Sequence, residues 1–318
     1  MAAAWPRITE AAAPGGLLPA VRIAVSSTPH ATLLHLAAAR GFFAAEGLTV
    51  TLLPVSHGKA ALERLAKGEA DLAAAAELPF VVGVLKGDPY GALASVASES
   101  GEMAVVARRD RGVAQPADLA DKRIGVTQGT SGEYFLWAFL IRHRISPRAV
   151  SMVNLPPNQL AQAVGNGSVD AIATWQPVRR DAERSLGSQG VSFTSPDAYT
   201  VTHIVVGRQA FLAANAEAMR RVVRALLRAE RFVREQPAQA LAITAERLGI
   251  SPADLQVQWA ALELRVDQSQ SQLITWEDEA RWAMTQGYAE RRPVPNLLPH
   301  LYLDALAAEA PDRVSVVR

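Results

Sequence analysis

The sequence predicts an α/β chain in two lobes, each built on a doubly wound, mostly parallel sheet, with a helical C-terminal tail. Three observations lead there. Short β-rich runs alternate with short helices through tight turns, in two successive series. The chain has 318 residues, more than one hydrophobic core usually serves. From Ala216 onward the pattern is helical.

In order, Val21 to Val25 is a strand, Ser26-Ser27-Thr28-Pro29-His30 a turn, and Leu33 to Phe43 an apolar-faced helix ended by Gly41 or Gly47. Thr49 to Val55 is the next strand, and Ser56-His57-Gly58 turns into a helix over Lys59 to Lys67. Asp71 to Ala76 reads as a buried strand, Glu77-Leu78-Pro79 as a turn, and Phe80 to Lys86 as a helix. Leu93 to Ser98 and Met103 to Ala107 are strands, with Ser100-Gly101-Glu102 marking a crossing between lobes. The second series runs through Ile124 to Val126, a helix, Val150 to Asn154, the helix Gln159 to Val164, and Ala171 to Thr174. A helix from about Pro177 to Leu186 and the run Val191 to Phe193 complete it, and His203 to Val206 returns to the first lobe. The expected division is an N-terminal extension over 1–20, a first lobe over 21–102 and 205–318, and a second over 103–204.

In the tail, Met219, Val222, Val223, Leu226, Leu227, Glu230 and Val233 follow the i, i+3, i+4, i+7 rule, so that helix buries one face. Arg220, Arg221, Arg224, Arg228, Arg231 and Arg234 fall on the rest, which reads as a solvated outer face. Further helices are expected over Pro237 to Leu248, Pro252 to Leu264 and Gln272 to Ala289.

Composition narrows the function. A net charge of +1 with 20% charged residues argues against a nucleic-acid or anionic-membrane surface. The absence of cysteine excludes disulfides, thiolate metal sites, cysteine nucleophiles and a lipid-modified cysteine. The six histidines show no zinc spacing, and no cofactor or metal is expected. Met1 to Ala20 lacks a basic start and an apolar core, so it does not read as a signal peptide. No apolar run approaches the ~20 residues a membrane span needs.

The chain is organised around Arg123 to Tyr134, RIGVTQGTSGEY: a strand, a glycine-bracketed turn and a helix start. Such a start carries backbone N–H groups with no intrahelical partner and the positive end of the helix dipole, so it can hold an anion or a hydrogen-bond acceptor. Thr130 with Glu133 also fits a capping box, which would use those groups internally and leave Ser131 free.

Four segments carry a resemblance. Leu36 to Val50 (LAAARGFFAAEGLTV) resembles A-x-x-x-G-F-F-x-x-E-G-L-x-V, and Gly68 to Ala73 resembles G-x-A-D. Asp118 to Val126 resembles D-L-K-G-K-R-I-G-V, departing at Ala120-Asp121 where Lys-Gly is usual. Gly167 to Pro177 resembles G-x-V-D-A-x-x-x-W-x-P. In this order they resemble the substrate-binding proteins of ABC transporters, in the nitrate, sulfonate and taurine branch also called NMT1-like. The resemblance spans Val21 to about Val206, and the tail is also family-like. It implies the type II periplasmic-binding-protein fold, a small-molecule ligand held as two hinged lobes close, a membrane permease as partner and a periplasmic location. A monomer is expected.

Ligands of doubly wound sheets sit outside the carboxyl ends of the strands. The ligand-binding candidates are therefore Ser27, His30, His57, Gly58, Glu77, Thr130, Ser131, Tyr134, Trp175 and His203. Each has a plainer alternative: Ser27 as a helix cap, His30 and His57 as exposed or capping imidazoles, Trp175 and Tyr134 as core, His203 as structural. Glu77, after an apolar strand, must be hydrated, capping or paired, because an unpaired buried charge is too costly.

Helix ends contribute about 0.3–1 kcal/mol each toward an anion, whereas a micromolar ligand needs about 8 kcal/mol. No candidate turn contains arginine, and Lys59 is the one lysine near such a turn. That disfavours bare nitrate or sulfate and favours an amino-sulfonate or an aromatic or heterocyclic compound. No catalytic residue is expected, since no G-x-S-x-G, phosphate-loop lysine, HExxH or G-x-G-x-x-G follows a strand. Two alternatives remain: a thiamine-pyrimidine-precursor protein of the same fold, which lacks that family's cysteine-rich motif here, and a ligand-sensing module, which would need an attached domain the chain has no room for.

Overall fold

The structure is a computed structural model and describes residues 20–317. The expected N-terminal extension therefore lies, but for Ala20, outside the described residues. The strands are β1 (Val21–Ser26), β2 (Val50–Val55), β3 (Leu72–Ala76), β4 (Tyr90–Ser100), β5 (Ala104–Arg108), β6 (Arg123–Val126), β7 (Ser151–Asn154), β8 (Ala171–Thr174), β9 (Gly190–Thr194), β10 (Thr200–Arg208) and β11 (Leu262–Glu263). The helices are α1 (Thr32–Ala39), α2 (Phe42–Ala45), α3 (Gly58–Ala66), α4 (Glu77–Leu85), α5 (Ser131–Arg142), α6 (Pro157–Gly165) and α7 (Val178–Leu186). The tail adds α8 (Gln209–Ala214), α9 (Ala216–Glu235), α10 (Pro237–Leu248), α11 (Pro252–Trp259), α12 (Gln270–Thr285) and α13 (Asp304–Glu309).

The chain divides into two compact units, one reaching Ser98 and resuming at Thr202, the other Glu99–Val201. The first unit carries a six-stranded sheet in the order β11-β4-β10-β3-β1-β2. β1 pairs in parallel with β2 and β3, and β10 runs antiparallel to β3 with His203 opposite Ala76. β2 ends the sheet, and Pro54, which has no N–H to offer, lies within it. Helices α1 and α9 cover this sheet with a core that includes Leu33, Leu36, Val222 and Leu226.

The second unit carries a five-stranded sheet in the order β7-β6-β8-β5-β9. β6 is parallel to β7 and β8, whereas β5 is antiparallel to β8 and β9. Both sheets thus have a parallel βα core flanked by antiparallel strands. Leu160, Val164, Ile172 and Leu186 are among the residues packing α6 and α7 onto the second sheet. Among the described residues no helix is long and apolar enough to cross a membrane.

Several boundaries differ from the sequence reading. The single helix expected over Leu33 to Phe43 is split, because Gly41 adopts a left-handed φ of 67° that stops α1 and restarts the chain as α2. The turn expected at Glu77-Leu78-Pro79 is instead the first turn of α4, where a proline's missing N–H removes no intrahelical bond. The helix expected to reach Leu264 ends at Trp259, and Leu262–Glu263 pairs as β11. Asp121, a non-glycine residue in the left-handed region, takes a φ of 62° and donates its N–H to the Ala149 carbonyl.

The arginine face of α9 is also not simply solvated. Arg224 bonds Glu46 at 2.8 Å and Glu309 at 2.9 Å, Arg228 approaches Glu46 at 3.5 Å, and Arg221 donates to the Glu46 carbonyl. Glu230, on the apolar stripe, is buried because it pairs with Arg313 and accepts the Val266 N–H, each at 2.8 Å.

Candidate functional site

Within the first unit, candidate residues gather at the carboxyl end of β3. Gly58 opens α3 against that end: a Cβ there would stand 2.8 Å from the Ala75 Cα and 3.1 Å from the Ala76 nitrogen, so only glycine fits without a shift. Glu77, the residue after β3 and the first of α4, is 0% exposed, and its Oε2 accepts the Thr202 N–H at 2.8 Å. The helix-capping alternative for Glu77 is not realised, because Ala76 holds the cap position and the carboxylate reaches across to β10. The negative charge at the start of α4 is favoured by the helix dipole.

His203 follows Thr202 on β10, and its ring stacks on that of His30 at 3.9 Å between centroids, 10° from parallel. Burial, and secondarily His30, holds the His203 imidazole well below its ordinary pKa. An unfolded chain takes up that proton near pH 6.5 while the native chain does not. Stability is therefore retained above about pH 6.5 and declines below it, by at most about 1.4 kcal/mol per pH unit for one such group. The urea midpoint is expected to fall between pH 7.5 and pH 5.5, and less so in His203→Phe, which keeps a stacked ring. Equal falls in the two proteins would refute this assignment.

Ser27 is exposed just beyond β1 and makes no cap, since Thr28 occupies the cap position of the 3-10 turn Pro29–Ala31. His57 holds the cap position of α3 without a side-chain cap bond; its Nδ1 lies 2.8 Å from the Ser56 hydroxyl, and burial lowers its pKa.

Within the second unit, the start of α5 follows the carboxyl end of β6. The capping box expected from Thr130 and Glu133 does not form. The Thr130 hydroxyl turns back and donates to the Thr127 carbonyl at 2.6 Å, and Glu133 accepts the Gly129 N–H at 2.7 Å. Both groups brace the loop that leads into the helix, and the helix end receives no side-chain cap. Ser131, its first residue, is 4% exposed, and its hydroxyl has no hydrogen-bond partner within the protein. Trp175, just past β8, lies over this end, with ring atoms 3.0 and 3.2 Å from where a Gly132 Cβ would be. Tyr134 meets Tyr199 edge-to-face at 5.0 Å and stacks near Trp137 at 5.9 Å.

The structure thus brings His30, Gly58, Glu77 and His203 together in one unit, and Thr130, Ser131, Tyr134 and Trp175 in the other. Chemically, the second group offers a helix N-terminus, an unpartnered hydroxyl and an indole face. Sequence reading missed Thr202 and Tyr199, and it named Gly129 as a turn glycine but not as the N–H donor to Glu133. No motif marks these roles, since each acts through a backbone group or a ring contact set by the fold.

The description "NMT1/THI5 like" belongs to a family model that matches residues 28–240. The chain belongs to that family. Among relatives of this NMT1/THI5-like chain, the taurine-binding periplasmic protein of Escherichia coli K12 is 27% identical over 166 residues, covering 52% of this chain and 51% of that one. The chain spans about half the length of the curated relatives it matches. Among solved structures, the alkanesulfonate-binding protein SsuA of Xanthomonas axonopodis pv. citri, bound to MOPS, superposes with a TM-score of 0.77 at 19% identity, covering 90% of this chain and 99% of that one. The desulfurization enzyme DszB superposes with a TM-score of 0.65 at 16% identity, covering 92% of this chain and 99% of that one. The chain therefore has the two-lobed fold of the periplasmic binding proteins.

Proposed function

We propose that this chain is the solute-binding component of an ABC importer. It captures a small sulfonate- or taurine-like, aromatic or heterocyclic molecule and delivers it to a membrane permease from the periplasm. The observation that carries this reading is the start of α5, where the candidate caps are committed to the preceding loop and a buried Ser131 hydroxyl is left without a protein partner. A helix end of this kind suits an oxygen-rich head group, and the Trp175 face suits the body of an organic ligand. Family membership and the taurine-binding relative support the same class. In this reading the ligand lies between the two candidate groups as the lobes close around it, and no bond is made or broken.

Calorimetric titration with taurine, alkyl and aryl sulfonates, nitrate and pyrimidines tests it. A micromolar ligand is expected within this panel, with Ser131→Ala weakening its binding about tenfold, equivalent to about 1.4 kcal/mol. Unchanged affinity in Ser131→Ala would remove α5 from the site. Conversion of the ligand to a product would favour an enzyme, the reading that the shared fold of DszB keeps in view.

A further inference from the structure

A second run of polar atoms is buried far along the chain from the candidates above. Ser269 caps α12, accepting the Gln272 N–H at 3.4 Å, so Ser269-x-x-Gln272 has the sequence of a capping box. The reciprocal half of that box, a bond from the Ser269 N–H to the Gln272 side chain, is not made. The Gln272 side chain is turned inward at 6% exposure, and neither its Oε1 nor its Nε2 has a partner within the protein. One turn on, Trp276 is 0% exposed, and its indole N–H is likewise without one. Residues four apart on a helix share a face with Cβ atoms about 5–6 Å apart. The Trp276 ring is held against Phe80 of α4, with ring centroids 4.7 Å apart, so the indole is fixed by packing rather than free to turn toward solvent.

We propose that this inner face of α12 is a hydration site, where ordered water bridges the Gln272 amide and the Trp276 indole N–H. Three polar atoms stripped of water and left dry would forfeit a large share of a typical domain's net stability. The Gln272 amide carries both a donor and an acceptor and the Trp276 indole one N–H donor, and neither side chain is charged; the fully buried Glu279 follows one turn further along the same helix. Such a set satisfies a molecule that donates and accepts at once, and the near-complete burial restricts it to the size of water. Water accepts the indole proton and donates to Gln272 Oε1, while Gln272 Nε2 donates to it or to a second water.

The sign of a stability change tests the proposal. Gln272→Met keeps the length of the side chain and deletes both amide atoms. If water is held there, it loses its anchors, and the melting temperature is expected to fall by about 3 °C. If the face is dry, deleting two unsatisfied atoms leaves the melting temperature unchanged or raises it, which overturns the proposal. Magnetisation transfer from long-lived water to the Trp276 indole proton is expected in the unsubstituted protein, and its absence also overturns it. A crystal structure with the Gln272 side chain swung out to the Ser269 N–H would do the same.

Discussion

Glu77→Ala is expected to lower the folding free energy by about 3 kcal/mol and to leave a shallow cavity at the start of α4. The carboxylate is completely buried and holds the Thr202 N–H at 2.8 Å, so its removal strands a buried donor as well as deleting a charged hydrogen bond. Glu77→Gln keeps an acceptor at the same reach and should cost about half as much. Because Thr202 precedes His203, the same change should loosen the His30–His203 stack, and the chemical shifts of both imidazoles report it. Urea titration of the three proteins measures the energies. Equal stability of parent and alanine variant would mean that the carboxylate has no structural duty and is available to a ligand.

Gly58→Ala is expected to destabilise the first unit by about 2 kcal/mol, and Gly58→Val by more. The methyl group would meet backbone, the Ala75 Cα at 2.8 Å and the Ala76 nitrogen at 3.1 Å, and backbone in the middle of a sheet has little room to give. The start of α3 must then lift from β3, carrying His57 with it. Thermal unfolding measures the loss, and a crystal structure of the alanine variant should show α3 displaced at its first turn. An alanine variant as stable as the parent would show that α3 is not clamped to β3 by this contact.

How far the residues announce the fold can be judged at particular places. The βα alternation is written in the chain because β-rich runs such as Val21 to Val25 and Ala171 to Thr174 can hardly be anything else between tight turns; Ala171–Thr174 is a strand over the same residues. The periodicity of α9 is equally plain, and even the out-of-place Glu230 sits on the buried face it was read into, explained by Arg313. The capping box at Thr130 shows the limit. A threonine and a glutamate three residues apart can bond the helix end or the loop before it, and only the path of the chain through Thr127 to Gly129 decides between them. Pairing across the chain was less legible still. Nothing near His30 points to His203, nor near Glu77 to Thr202, since both contacts exist only once β10 lies beside β3. The positions of candidate residues at strand ends follow from topology, whereas what each side chain touches does not.

The ends of the larger sheet bear on life in a crowded compartment. A strand with a bare flank is a template on which a neighbouring molecule can add its own strand, and repeated addition grows filaments. Here one flank closes on β11, two residues long, and the other on β2, where Pro54 interrupts the row of donors that such docking would use. Both flanks of this sheet are thus poor templates for a strand added by a neighbouring molecule.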